Sequence, residues 1–113
     1  MKKDPKIFLQ HILESIEAVE QHIKGLTKED FFKSVKTQDA VIRRLEIIGE
    51  ATKNLPNDYK EAHPDVSWHK AMAMRNILIH EYFGIELNIV WDTATKTLPE
   101  FKEQIEGLPE MSK

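Results

Sequence analysis

Eight consecutive residues, Arg75-Asn76-Ile77-Leu78-Ile79-His80-Glu81-Tyr82, carry a guanidinium, a side-chain amide, an imidazole and a phenol. An imidazole beside a guanidinium can cleave a phosphodiester without a metal when the neighbouring ribose 2′-OH is the nucleophile. His80 can exchange a proton near neutral pH, because a free imidazole titrates at about 6.5. Arg75 can hold the phosphate and the charge that grows on it in the transition state. Arginine suits that task better than lysine, since its planar fork matches two phosphate oxygens. Asn76 supplies an amide able to orient His80 or a phosphate oxygen.

Spacing constrains how these groups meet. At ~100° per helical residue, Arg75, Leu78, Ile79 and Tyr82 share one face, while His80 lies ~140° round from Arg75. His80 falls on the stripe of Asn76, Ala73 and His69. For one phosphate to touch both Arg75 and His80, the arginine must wrap round, the helix must distort, or two copies of the chain must face each other. The two-copy arrangement is the expected one: a two-fold dimer offers two His80 and two Arg75 around one cleft, enough for separate base and acid roles.

Other polar residues are weaker candidates. Arg43, Arg44 and Lys53 can contact RNA backbone or simply form a solvated face. His11, His22 and His63 lie far from the motif in sequence, His69 and His80 stand ~16 Å apart along an ideal helix, and no second histidine follows His80-Glu81 at zinc-protease spacing. Metal binding is therefore not expected. Trp68 and Trp91 fall in phase with apolar neighbours and read as core, Gly49 as a close-packing position and Gly84 as a helix stop.

The elements that must position these residues are helical. Asp4-Pro5 reads as an N-cap with proline in the first turn, opening a helix on Ile12, Ile16, Val19 and Ile23 that closes near Gly25. Thr27 to Asp30 forms a variant capping box before a short turn whose Phe31 and Phe32 plug one end of the core. A second long helix runs from Thr37 to about Leu55 on Val41, Leu45, Ile48 and Leu55, with Ile47 and Ala51 widening its stripe, and stops at Pro56. The connector from Asn57 to Val66 has room for one helical turn at Asp58 to Ala62. Ser67 can cap a third long helix from Trp68 through the motif to Gly84. Leu87, Val90, Trp91, Ala94 and Leu98 build a fourth, which Pro99 breaks or kinks before Phe101, Ile105 and Leu108 continue it. Four long helices with short links predict an all-α, antiparallel up-down bundle.

Composition sets the remaining bounds. The chain has 113 residues, 41% hydrophobic and 31% charged, which suits one domain spanning 1–113. It contains no cysteine, so disulfides, thiolate metal sites and cysteine nucleophiles are excluded. No apolar run is long enough for a membrane span, and the N-terminal region lacks a signal-peptide pattern, so a cytoplasmic location is expected. The net charge of −3 confines any RNA contact to a local patch.

Three blocks taken together carry a family likeness. Arg44-Leu45-Glu46-Ile47-Ile48-Gly49-Glu50-Ala51, the connector ending in Val66-Ser67-Trp68, and Met74 to Gly84 around Arg-x-x-x-x-His-x-Tyr resemble the HepT family of the HEPN superfamily over roughly residues 5–107. The last pattern is short by itself and specific in this combination. The resemblance implies an all-α homodimer whose composite cleft is a metal-independent RNA endonuclease, with Arg75 and His80 as the active pair. It implies a toxin whose antitoxin, a minimal nucleotidyltransferase of the MntA type, uses ATP and Mg to transfer AMP to the motif tyrosine, Tyr82. Cleavage itself would need no cofactor, and the substrate would be transfer or messenger RNA, with no role for DNA or a membrane. Two other readings are a non-catalytic helical dimer that binds the nucleotidyltransferase and is modified by it, and a nucleotide-binding regulator.

Overall fold

Asp4 and Pro5 start the first helix as their chemistry requires. The Asp4 carboxylate accepts the Lys6 N–H at 3.0 Å, and Pro5 stands where a missing N–H costs nothing. In the computed structural model, which describes residues 4–80 and 86–111 and only the backbone of 76–80, this helix is α1, Pro5–Ile23. Gly25, at φ 76°, then turns the chain through the left-handed region. The variant capping box is formed in full: Thr27 Oγ1 accepts the Asp30 N–H at 3.1 Å, and Asp30 Oδ2 accepts the Thr27 N–H at 3.0 Å. The bond from the Thr27 N–H also lowers the Asp30 pKa. This box opens α2, Lys28–Lys33.

Helix α3, Val35–Asn54, begins two residues before Thr37, because the Ser34 hydroxyl caps it by accepting the Thr37 N–H at 3.2 Å. The Gln38 amide donates to the carbonyls of Phe31 and Phe32, joining the start of α3 to the end of α2. Pro56 follows the end of α3, and α4 spans Asn57–Ala62, where one helical turn was expected. From α4 the Lys60 ammonium reaches back to the carbonyls of Thr52 and Lys53 at 3.1 and 3.4 Å, adding a cation at the carbonyl end of α3. Burial lowers its pKa.

Helix α5, Trp68–His80, carries the motif. The Ser67 carbonyl accepts the Ala71 N–H, as an N-cap should. The Ser67 hydroxyl accepts from Gln104 Nε2 at 3.2 Å, while the Ser67 N–H donates to Gln104 Oε1 at 2.8 Å. The expected stop at Gly84 lies outside the described residues. Helices α6, Leu87–Asp92, and α7, Leu98–Glu106, are joined by a π-helical turn, Thr93–Thr97, so the chain stays helical past Pro99. Pro99 has no N–H to give. One residue earlier the Leu98 N–H reaches five residues back to the Thr93 carbonyl, and the Thr95 hydroxyl bonds the Trp91 carbonyl at 2.8 Å. A 3₁₀ turn, Pro109–Met111, follows.

The apolar stripes meet as their spacing predicts. Helix α3 lies between α1 and α5, and α7 closes against α1. Ile12, Ile16 and Val19 face Val41, Leu45 and Ile48 in one buried cluster that also takes in Met74, Val90, Leu98, Phe101 and Ile105. The architecture is the all-α bundle read from the sequence, with no strand among the described residues. Among the same residues, no helix is long and apolar enough to cross a membrane. Trp68 is buried and Trp91 partly so, both packed into the core. The expectation for the two phenylalanines holds for one. Phe31 is fully buried with its ring 5.3 Å from that of Trp91, whereas Phe32 is 38% exposed beneath the Lys28 ammonium. Neighbours on a helix differ by ~100°, so α2 can aim only one of them at the core.

The connector is tied down by aromatic packing. Tyr59 lies 4.6 Å from the His63 ring and donates its hydroxyl to Glu110, and the Trp68 indole N–H donates to the His63 carbonyl at 2.9 Å. Burial, followed by the Glu110 contact, raises the Tyr59 pKa well above that of a free phenol.

Candidate functional site

Arg75 owes its place to a glycine on the neighbouring helix. Gly49 is in the interior of α3, and a Cβ built there would fall 2.9 Å from Arg75 Cβ, 3.0 Å from Arg75 N and 3.3 Å from the Ala71 carbonyl oxygen. Helices α3 and α5 therefore touch backbone to backbone at Arg75, which bears out the reading of Gly49 as a close-packing position. Gly49→Ala should lower stability by about 1 kcal/mol net, since overpacking of ~1–3 kcal/mol is offset in part by the better helix propensity of alanine. A thermal melt of the variant at or above the parent's temperature would contradict that contact.

From this anchor the Arg75 side chain turns to α3, where its Nε lies 3.1 Å from Glu50 Oε2. Arg75 also borders an open groove between α1, α3 and α5, lined in addition by His11, Arg43, Glu46, Glu50 and Asn54. Arg43 is itself paired, its Nη1 2.8 Å from Glu46 Oε1. The groove thus holds two arginine–glutamate pairs, and its charges balance. The groove is therefore not a basic patch, and each of its guanidinium groups already has a carboxylate beside it.

The three cations named beside the motif are dispersed. Arg43 shares the groove with Arg75. Arg44, one residue on, is half-buried on the side of α1 and donates to the Ser15 hydroxyl at 3.5 Å, giving that buried group a partner. Lys53 is exposed beside a second groove, lined also by Pro5 and Tyr59, which meets the first at Asn54. Asn76 and His80 belong to α5, whose backbone is α-helical through His80; on an ideal helix their offset from Arg75 is that read from the spacing. Tyr82 lies outside the described residues. No group of three histidine or acidic side chains placed to hold a metal occurs among the described residues.

Four polar groove residues, His11, Glu46, Glu50 and Asn54, were not among the site candidates read from the sequence. His11, on α1, is distant from the motif along the chain, and only the packing of α1 on α3 brings it beside Arg75. Glu50 had a legible signal: Arg43, Glu46, Glu50 and Asn54 recur at steps of three and four, a polar stripe beside the apolar one used to recognise α3.

Comparison with known proteins agrees with the family resemblance. The family model described as "Ribonuclease HepT-like" matches residues 12–108. A Thermococcus cleftensis protein named "Probable ribonuclease HepT" is 45% identical over 108 residues, covering 96% of this chain and 98% of that protein. One from Caldanaerobacter subterraneus subsp. tengcongensis, named as a "Putative RNase", is 42% identical over 111 residues, 98% of this chain and 99% of the other. A Methanocaldococcus jannaschii protein named "Gamma-glutamylcyclotransferase and putative RNase" is 51% identical over 105 residues, 93% of this chain. The chain spans about half the length of this last relative, 47%, and nearly all of the other two. No solved structure matches. With the model matching residues 12–108 and relatives aligned over nearly the whole chain, this protein belongs to the HepT-like ribonuclease family.

Proposed function

We propose that this protein is a metal-independent RNA endonuclease and the toxin of a toxin–antitoxin pair, working as a cytoplasmic homodimer. The observation that carries the reading is Arg75 at the border of an open groove, with its backbone held against Gly49, on the helix whose backbone continues to His80 five residues later. In the proposed reaction one His80 takes the proton from a ribose 2′-OH, whose oxygen attacks the adjacent phosphorus. The 5′-oxygen leaves with a proton from a second imidazole, and a 2′,3′-cyclic phosphate remains. Arg75 holds the phosphate and the added negative charge, with Asn76 orienting the imidazole or a phosphate oxygen.

Two features favour a cleft made by two chains. The helix is regular between Arg75 and His80, and the Arg75 side chain turns to Glu50 on α3 instead of wrapping round α5. Arg43, in the same groove, is the best placed of the further cations to meet RNA backbone. The partner is a nucleotidyltransferase antitoxin of the MntA type, which transfers AMP from ATP to Tyr82. On an ideal helix Tyr82 shares the face of Arg75, so added phosphates would pair with the guanidinium and block the cleft.

Purified protein should cut transfer or messenger RNA in EDTA, with 2′,3′-cyclic phosphate ends detected by mass spectrometry. Intact RNA, together with a mass gain of AMP on Tyr82 when the nucleotidyltransferase, ATP and Mg are added, would instead make the chain a non-catalytic partner of that enzyme.

A further inference from the structure

We infer that Glu50 is a positioning residue, holding the Arg75 guanidinium in the orientation in which it meets an RNA phosphate. The inference rests on the reading of Arg75 as the phosphate-binding residue. Three observations lead to it.

The pair contributes little to the fold. Its side chains are 36% and 47% exposed, and an ion pair so open to water contributes ~0–1 kcal/mol to stability. Another reason for the contact has to be sought in what the arginine does.

Glu50 also follows the glycine that fixes the arginine's backbone. Gly49 lets α5 approach until a Cβ would stand 2.9 Å from Arg75 Cβ, although a glycine within a helix costs roughly 0.5–1 kcal/mol relative to alanine. Gly49 thus fixes where the Arg75 side chain begins, and Glu50, one residue on, fixes where its end lies. The closest approach between the two side chains is at Nε, at 3.1 Å. Nε is on the shaft side of the guanidinium, and the terminal nitrogens form the fork suited to two phosphate oxygens.

Finally, both partners line the same open groove, so the contact lies at the site and not behind it. A free arginine side chain loses roughly 1.5–2 kcal/mol of rotamer entropy when it is ordered. An ion pair formed before substrate arrives removes part of that cost from the reaction, which is how preorganisation raises rate. The carboxylate also offsets the arginine's attraction for a phosphate in the ground state. Removing its charge should therefore lower kcat while leaving KM unchanged or smaller. That split distinguishes positioning from simple loss of binding or of structure.

The test is steady-state cleavage of a single-stranded RNA in EDTA by the full chain, comparing the parent, Glu50→Gln, Glu50→Asp and Arg75→Ala, with a thermal melt of each. Expected are a kcat at least about tenfold lower for Glu50→Gln with KM no higher, a melting temperature close to the parent's, and partial recovery of kcat in Glu50→Asp, which keeps the charge. The proposal is overturned if Glu50→Gln turns over within twofold of the parent, if its KM rises in step with the loss of rate, or if Glu50→Asp is no better while both melt early. If Arg75→Ala is indistinguishable from the parent, the assignment of Arg75 fails and this inference with it. If Arg75→Ala is inactive while Glu50→Gln is not, the inference alone fails.

Discussion

Arg75→Ala should cut RNA about 10²–10³-fold more slowly than the parent, and His80→Ala about 10²–10⁴-fold more slowly, with no loss of helical content. The first figure is that of a charge-stabilising donor removed from a developing oxyanion, and the second that of a general acid or base removed from proton transfer. Arg75→Lys should recover little, because a lysine ammonium is a point charge and loses the two-oxygen fork. The double variant should be scarcely slower than the worse single one, since groups that act on one transition state do not contribute additively. Mixing the two single variants probes the geometry. If the cleft joins Arg75 of one chain to His80 of the other, a heterodimer of an Arg75→Ala chain with a His80→Ala chain keeps one such pair but only one of the two imidazoles, so cleavage on mixing should rise above that of either variant alone and stay below the parent's. With both groups acting from the same chain, every site in the mixture stays defective. Single-turnover gel assays on separate and mixed proteins read both outcomes, and unimpaired cleavage by His80→Ala would remove the imidazole from the mechanism.

The largest effect on stability is expected from Phe31→Ala, at about 3–5 kcal/mol, the range for truncating a buried phenylalanine. Phe31 is 0% exposed and packs on Trp91, so its loss opens a cavity where α2, α3 and α6 meet. Against a total stability of ~5–15 kcal/mol for a domain of this kind, that is a large fraction. The control is the next residue. Phe32 is 38% exposed, its ring packed T-shaped on Phe31 at 6.3 Å with the Lys28 ammonium 5.8 Å above it. Phe32→Ala should cost ~1 kcal/mol or less. Urea unfolding of both variants, with slopes matching the parent's, measures the difference. Equal losses at the two positions would mean that α2 packs in another orientation.

The Arg75–Glu50 contact and the Phe31–Phe32 contrast mark what the sequence by itself determined and what waited on the third dimension. The Asp4, Thr27 and Asp30 caps act within two or three residues, so residue type and spacing were sufficient to place the starts of α1 and α2. The apolar stripes of α1, α3 and the last helical run were equally legible, because one helical period reports the buried face whatever lies opposite. The Arg75 to Tyr82 pattern, with its flanking blocks, pointed to the family that the comparisons then showed. Hydrophobic period does not decide which helix meets which, and that decided the groove. Arg43 and Arg44 are adjacent in sequence, yet the ~100° step between them sends one to the groove and the other to Ser15 on α1. Glu50 meets Arg75 because Gly49 lets α5 lie against α3, and His11 shares their groove because α1 also packs on α3. Caps and periods are local, and depend on a few residues of chain. A groove shared by three helices depends on contacts between residues far apart in the chain, and these exist only after the helices have packed.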